Sequence, residues 1–187
     1  MPRLFHFSDD PDIAVFEPRS VRVPSQRAEG RAWLNGPLVW AIDEAHQGLY
    51  LFPRECPRIV IWPVSTTTPD DLERWWAGWT CRMIAHVEWA WFERLQRGAI
   101  YRYELPTQLF EDLDDAGMWV SRAPVSPLGV ERLDDLPAAL RANGVELRLM
   151  ESLTPLKSVW TTSLHASGIR LRNAIGWDTG SQPIVQV

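Results

Sequence analysis

Short apolar runs separated by polar turns recur along the whole chain. Apolar runs over 38–42 and 59–62 predict buried strands at 38–42 and 58–62. The alternation over 100–105 and 145–149 predicts strands with one buried face. Weaker patterns predict further short strands at residues 4–7, 83–88, 118–121 and 129–132.

Helix signals lie between these strands. Thr68-Pro69-Asp70-Asp71 is a favourable helix start, because threonine caps, proline fits the first turn and acids suit the helix dipole. Leu72, Trp75, Trp76 and Trp79 follow at helical spacing. Further helices are predicted over residues 44–50, 89–96, 134–140 and 154–164. Residues 18–36 are rich in proline, arginine, serine and glycine and predict a mobile loop.

The strands and helices mix without the regular alternation of a parallel, doubly wound sheet. The fold class is therefore predicted to be α+β. With 187 residues, the chain has the length of one domain. We predict a single α+β domain over residues 1–176 and a poorly ordered tail over residues 177–187.

Charge and cysteine content narrow the classes of function. The chain has 24 acidic and 19 basic residues, a net charge of −5, which disfavours generic nucleic-acid binding and binding to anionic membranes. No run approaches the roughly 20 apolar residues of a membrane span. Two cysteines without a CxxC motif favour a reduced, cytoplasmic setting, although a disulfide between Cys56 and Cys81 stays open.

Common catalytic motifs are missing from the sequence. There is no GxGxxG, GxxxxGK[ST], HExxH or GxSxG. The four histidines lie far apart, so we expect no metal site. The acids over 111–115 have the oxygen ligands of a hard-cation site, but a solvated acidic loop is the simpler interpretation.

Tryptophan is unusually frequent, with 11 residues. Most are expected to fill the core, because a large ring buries much apolar area. Exposed indoles would instead form a surface for a partner or a site for ring stacking.

The order of several short segments resembles the ADP-ribosyltransferase-like superfamily. Leu4-Phe5-His6-Phe7-Ser8 is similar to its first motif, an aromatic residue followed by His-x-Thr/Ser. Over roughly residues 4–132 the pattern is most similar to the rifampin ADP-ribosyltransferase group, through segments 39–43, 100–106, 110–112, 121–124 and 127–128. The chain as a whole also resembles a family of uncharacterised bacterial proteins that begin with a Phe-His-x-Ser strand.

The resemblance implies a split β-sheet core and NAD as substrate. His6, Ser8 and Trp40 match the positions that contact NAD, with Trp40 in place of the family's tyrosine. Asp112, with its neighbour Glu111, matches the catalytic acid. Cleavage of the nicotinamide–ribose bond builds positive charge on the sugar, which a carboxylate stabilises.

Two hypotheses follow. The chain is either an NAD-dependent ADP-ribosyltransferase or NAD-cleaving enzyme, which takes a small-molecule nucleotide and an acceptor that the sequence does not identify, or a non-catalytic binding protein on the same fold. The enzyme requires Trp40 and Asp112 to point into one cleft with His6. A third alternative, an unrelated α+β hydrolase with a His–carboxylate pair, has no specific support.

Overall fold

A computed structural model describes residues 2–24 and 27–177. The described residues form two compact units. Unit 1 contains the residues up to Tyr50 and Ala99–Asp134, and unit 2 contains Leu51–Gly98 and the residues from Asp135 onwards. Each unit is built around its own sheet.

The described residues contain ten strands and three α-helices. The strands are β1 (Leu4–Ser8), β2 (Val39–Asp43), β3 (Arg58–Trp62), β4 (Met83–Glu88), β5 (Ile100–Leu105), β6 (Glu111–Asp112), β7 (Met118–Ser121), β8 (Gly129–Leu133), β9 (Val145–Met150) and β10 (His165–Ile169). The α-helices are α1 (Pro69–Trp76), α2 (Phe92–Arg97) and α3 (Leu136–Ala142). Short 3-10 helices cover Ala32–Asn35, Gln47–Tyr50, Trp89–Trp91, Thr107–Leu109, Thr154–Thr161 and Leu171–Asn173.

Unit 1 contains a six-stranded antiparallel sheet in the order β6-β7-β2-β1-β5-β8. Strand β1 lies inside the sheet and pairs with β5 along all five of its residues. Because side chains alternate across a sheet, the two faces of unit 1 carry separate apolar clusters. The first contains Leu4, Phe16, Val39, Ala41, Tyr103, Leu105 and Val125. The second contains Leu34, Leu38, Leu113 and Val120, with Trp40 packed against it.

Unit 2 contains a four-stranded sheet in the order β10-β3-β4-β9, in which β4 and β9 run parallel. The two central strands, β3 and β4, are buried along their whole length. Helix α1 begins as the sequence predicts, since the Thr68 side chain accepts a hydrogen bond from the Asp71 amide and Pro69 is the first helical residue. The carboxylate of buried Glu88, at the end of β4, accepts hydrogen bonds from the amides of Leu153 and Ile175.

The α+β class is confirmed, and several elements match their predicted bounds to the residue. Strands β3, β4, β5 and β7 do so. The predicted helix over 44–50 is only a 3-10 helix, Gln47–Tyr50. The helix predicted over 154–164 is a 3-10 helix that ends at Thr161, and the strand β10 that follows it was not predicted.

The predicted tail begins with a residue that belongs to unit 2. Trp177 is buried, and its ring contacts that of Trp160 with centroids 6.0 Å apart. The rest of the predicted tail, residues 178–187, lies outside the described residues. Cys56 and Cys81 are both free thiols. Among the described residues, no helix has the length and hydropathy of a membrane span.

Trp76 and Trp79 form a matched pair for a stability test. Trp76 is only 9% exposed, whereas Trp79 is 46% exposed. We expect Trp76→Ala to lower the free energy of unfolding by about 3–5 kcal/mol, because it leaves a cavity, and Trp79→Ala to cost less than about 1 kcal/mol. Urea unfolding of the two variants measures both values. Equal losses would contradict the assignment of Trp76 to the core.

His86 on β4 predicts acid sensitivity. Burial lowers the pKa of this 4%-exposed imidazole to about 4, with the nearby Arg148 charge acting in the same direction and the Ile59 carbonyl and Glu146 opposing it. As the pH falls from about 6.5 to 4, the unfolded chain binds a proton that the folded chain does not. The free energy of unfolding should therefore fall over this range, by about 3 kcal/mol from this group.

The control for this prediction is His86→Leu, which cannot titrate. Its free energy of unfolding, measured by urea unfolding between pH 7 and pH 4, should fall less steeply than that of the unmodified chain. Parallel pH profiles for the two proteins would show that His86 is not responsible.

Candidate functional site

The His6 side chain bonds to the backbone of the neighbouring strand. Its Nδ1 lies 2.8 Å from the Trp40 carbonyl oxygen. Because a carbonyl only accepts, Nδ1 carries the proton in this bond. The β1–β2 register extends from Leu4–Asp43 to Phe5–Ile42, and the imidazole contacts β2 just beyond it.

The face of the sheet that carries His6 is packed with apolar side chains. The imidazole lies 4.7 Å from the Phe16 ring, centroid to centroid. Phe16 is held there by two backbone hydrogen bonds to Val125. Ser8, on the same face, is buried, and its hydroxyl accepts a hydrogen bond from the Asp10 amide. The Tyr103 hydroxyl donates to the Asp10 carbonyl, which fixes the turn after β1.

The Trp40 indole lies on the opposite face of the same sheet. Its two neighbours on β2, Val39 and Ala41, belong to the cluster that contains Phe16, whereas Trp40 packs against the cluster of Leu38 and Val120. The structure therefore brings His6 to the Trp40 backbone but not to its ring. The three residues predicted to contact NAD do not line one surface.

The two predicted catalytic acids are exposed, on the short edge strand β6. Asp112 accepts a hydrogen bond from the Asp114 amide through Oδ1, so it serves the turn that follows it. Its partner in the sheet is Trp119, on the His6 face. Glu111 pairs with Val120 and shares the face of Trp40. Neither acid lies with His6 and the Trp40 ring in one cleft.

Glu111 instead pairs with an arginine that lines a concave surface of unit 1, which we call the Trp33 groove. Trp33, Pro37, Leu38 and Arg122 line it, and it encloses about 290 Å³. The Arg122 guanidinium carbon lies 4.6 Å from the centroid of the Trp33 ring, and Nη1 of Arg122 donates to Glu111 over 2.6 Å. The groove therefore presents an aromatic surface, a cation and an acid at its rim.

Local hydrogen bonds hold the two sides of the Trp33 groove. The indole is carried by the 3-10 helix Ala32–Asn35, which ends where the Gly36 amide donates to the Trp33 carbonyl. On the other side, the Ser121 hydroxyl accepts from the Ala123 amide and so closes the turn that presents Arg122 at the end of β7. Trp33 is 38% exposed, so a ligand has access to its ring.

Buried charge lies elsewhere on the Trp40 side of the sheet. Burial raises the pKa of Asp115, although the positive charges of Arg31 and Arg27 lower it. Arg31 lies 3.7 Å from the Asp115 carboxylate. Burial is also the largest influence on Arg27 and lowers the pKa of its guanidinium. Among the residues described, no group of three or more His, Cys, Asp or Glu side chains is placed to hold a metal ion.

The sequence analysis missed the residues that form the Trp33 groove. Trp33 lies in the segment interpreted as a mobile loop, and its tryptophan identity was the available signal. Arg122 lies in segment 121–124, which carries part of the resemblance, but the resemblance implies no role for it. The curvature that makes them one surface depends on the turns after Trp33 and Ser121, which periodicity does not show.

The comparisons give a family without an assigned activity. The model of a family of unknown function, DUF6886, matches residues 5–174. The chain belongs to this family. Neither the curated proteins nor the solved structures include a match to the chain. The family spans both units, so the Trp33 groove and the His6 strand lie within the matched region.

The His6 geometry predicts a structural role that can be measured. His6→Ala removes the donor to the half-buried Trp40 carbonyl, and we expect the free energy of unfolding to fall by about 1–3 kcal/mol. His6→Asn should lose less, because its amide nitrogen lies near the position of Nδ1. Urea unfolding compares the two. If both variants were as stable as the unmodified chain, the bond would contribute nothing to the fold.

Proposed function

We propose that this chain is a non-catalytic binding protein for a small planar anion of the nucleotide class, and that the Trp33 groove is its binding site. The observation that carries the proposal is the accessible Trp33 ring with the Arg122 guanidinium beside it. Nucleobases stack on indole rings, and guanidinium groups bind phosphate with paired hydrogen bonds.

The size of the Trp33 groove limits the ligand. Its volume of about 290 Å³ lies just below the range for small-molecule sites, about 300–1,000 Å³. One base with its phosphate is therefore the expected occupant, rather than a whole dinucleotide. The rest of a larger nucleotide would extend into solvent.

In this proposal, the Glu111 carboxylate and the phosphate of the ligand compete for the Arg122 guanidinium. The ion pair of Glu111 with Arg122 is more than half exposed on both sides, and such pairs contribute little energy. A phosphate can therefore displace the carboxylate from the guanidinium. Removal of the Glu111 charge should strengthen binding, whereas a catalytic role for Glu111 predicts a loss of activity.

NAD-dependent ADP-ribosyl transfer on an ADP-ribosyltransferase-like split-sheet core is the second candidate. It is favoured by one feature, the position of His6, Ser8 and Asp112 on a single face of the sheet, as the strand register implies. It requires NAD to displace the Phe16 ring from the imidazole, and it assigns no part to the Trp40 indole.

Titration of the intact chain with AMP and with NAD tests both proposals. We expect both nucleotides to bind, with similar affinity, and to quench tryptophan fluorescence. Trp33→Ala and Arg122→Ala should each weaken binding about tenfold, since a lost stacking or phosphate contact is worth roughly 1–3 kcal/mol. Glu111→Gln should bind more tightly.

The control variant is His6→Asn, which should bind AMP and NAD as the unmodified chain does. Release of free nicotinamide from NAD, measured by chromatography, should be absent. Nicotinamide release that Asp112→Asn abolishes would establish the second candidate instead. If neither nucleotide binds at millimolar concentration, the proposed function is wrong.

A further inference from the structure

Unit 1 brings together the guanidinium of Arg27, which has only one long hydrogen bond, and the buried indole N–H of Trp40, which has no acceptor among the described residues. The guanidinium carbon of Arg27 lies 5.6 Å from the centroid of the Trp40 ring. Both residues are partly buried, on the face of the sheet opposite His6. Neither group is used by the Trp33 groove as described above.

The charge of Arg27 is compensated only in part by its surroundings. Its Nε donates to the Asn35 side-chain oxygen over 3.4 Å, a long bond to a neutral group. Within the part of the chain that the structure describes, Arg27 has no carboxylate within 4.0 Å. Asp115 acts on it from a greater distance, and this acid has Arg31 as its ion-pair partner. A desolvated cation without a direct partner is costly, so a ligand that supplies the negative charge would be stabilised.

Trp40 supplies the second donor. Its Nε1 is buried and has no hydrogen-bond acceptor among the described residues. Buried donors in folded proteins almost always have an acceptor, which is a protein atom, a water or a ligand. A neutral water would satisfy the indole N–H but would leave the Arg27 charge uncompensated. An oxyanion between the two groups would supply both a negative charge for Arg27 and an acceptor for the indole N–H.

The carboxylate of Asp115 lies on the hairpin that joins β6 and β7, and the backbone of this hairpin is constrained. Asp115 lies in the turn between β6 and β7, where Asp114 and Ala116 have positive φ values of 51° and 46°. Such backbone conformations are uncommon for residues other than glycine and persist only where the surroundings fix them. The Asp115 carboxylate pairs with Arg31 at 3.7 Å, and its attraction to Arg27 acts over a longer distance.

We propose that Arg27 and the indole N–H of Trp40 together form a binding site for a small oxyanion, a phosphate or a carboxylate. The guanidinium supplies the charge and parallel donors, and the indole supplies a single directed donor. This site is independent of the proposed nucleotide groove, which uses Trp33 and Arg122.

The test measures the melting temperature of the intact chain with sodium phosphate, sodium acetate or sodium chloride at equal ionic strength and pH. At ten times its dissociation constant, an anion that binds only the folded chain should raise the midpoint by about 2–5 °C. We expect phosphate, acetate or both to do so relative to chloride. A rise with phosphate alone identifies a phosphate site, and a rise with acetate alone identifies a carboxylate site.

Variants locate the effect. Arg27→Gln should abolish the shift, Arg27→Lys should retain part of it, and Trp40→Phe should reduce it while an aromatic ring stays in the core. The matched control is Arg132→Gln, an exposed arginine of the same unit that is paired with Asp134. It should leave the shift unchanged.

Two outcomes would overturn the oxyanion site. One is a melting temperature that does not differ between phosphate, acetate and chloride. The other is a shift that persists in Arg27→Gln. AMP titration of Arg27→Gln separates the two proposals, because unchanged AMP binding leaves the Trp33 groove intact whatever the fate of the oxyanion site.

Discussion

The alternation of side chains across β2 governs the chemistry available to unit 1. This strand lies between β1 and β7, so each of its side chains points to one of the two packed faces of the sheet. Ala41 and Val39 face the cluster that surrounds His6, and the Trp40 indole faces the other. A shift by one residue would exchange the two sets. The separation of the imidazole from the indole therefore follows from the register.

Arginine and tryptophan meet repeatedly in this protein, in settings that differ in exposure. Arg122 and Trp33 are open to solvent, where the pair offers a ring and a displaceable charge. Arg27 and Trp40 are partly buried, where the indole N–H has no acceptor among the described residues and the guanidinium has only a long bond to Asn35. Desolvation strengthens electrostatic interactions and penalises unpaired groups. The exposed pair is the one proposed to bind a nucleotide, and the partly buried pair is the one proposed to bind an oxyanion.

The pattern of apolar and polar residues was sufficient to predict those elements that are specified by their own residues. Strand β3 is apolar from Ile59 to Trp62, and α1 has its cap, its proline and its acids in place. The residues of strand β10 have no such pattern, because this strand forms through its pairing with β3. At Gly168 a Cβ atom would lie 2.9 Å from the Trp160 ring, so close packing explains this glycine. The two candidate sites depend on which side chains share a sheet face and on the turns between strands. Predicting these requires the strand register as well as the pattern of apolar residues.

Each unit is built from two separate stretches of the chain, and this affects when the buried Glu88 carboxylate can gain its hydrogen bonds during synthesis. The described strands of unit 1 are complete once β8 has been made, whereas unit 2 still lacks β9 and β10 at that point. Glu88 gains its last backbone donor only with Ile175. During translation, the strands of unit 1 can therefore pair first. The Glu88 carboxylate stays hydrated until Ile175, some ninety residues further along the chain, has been synthesised.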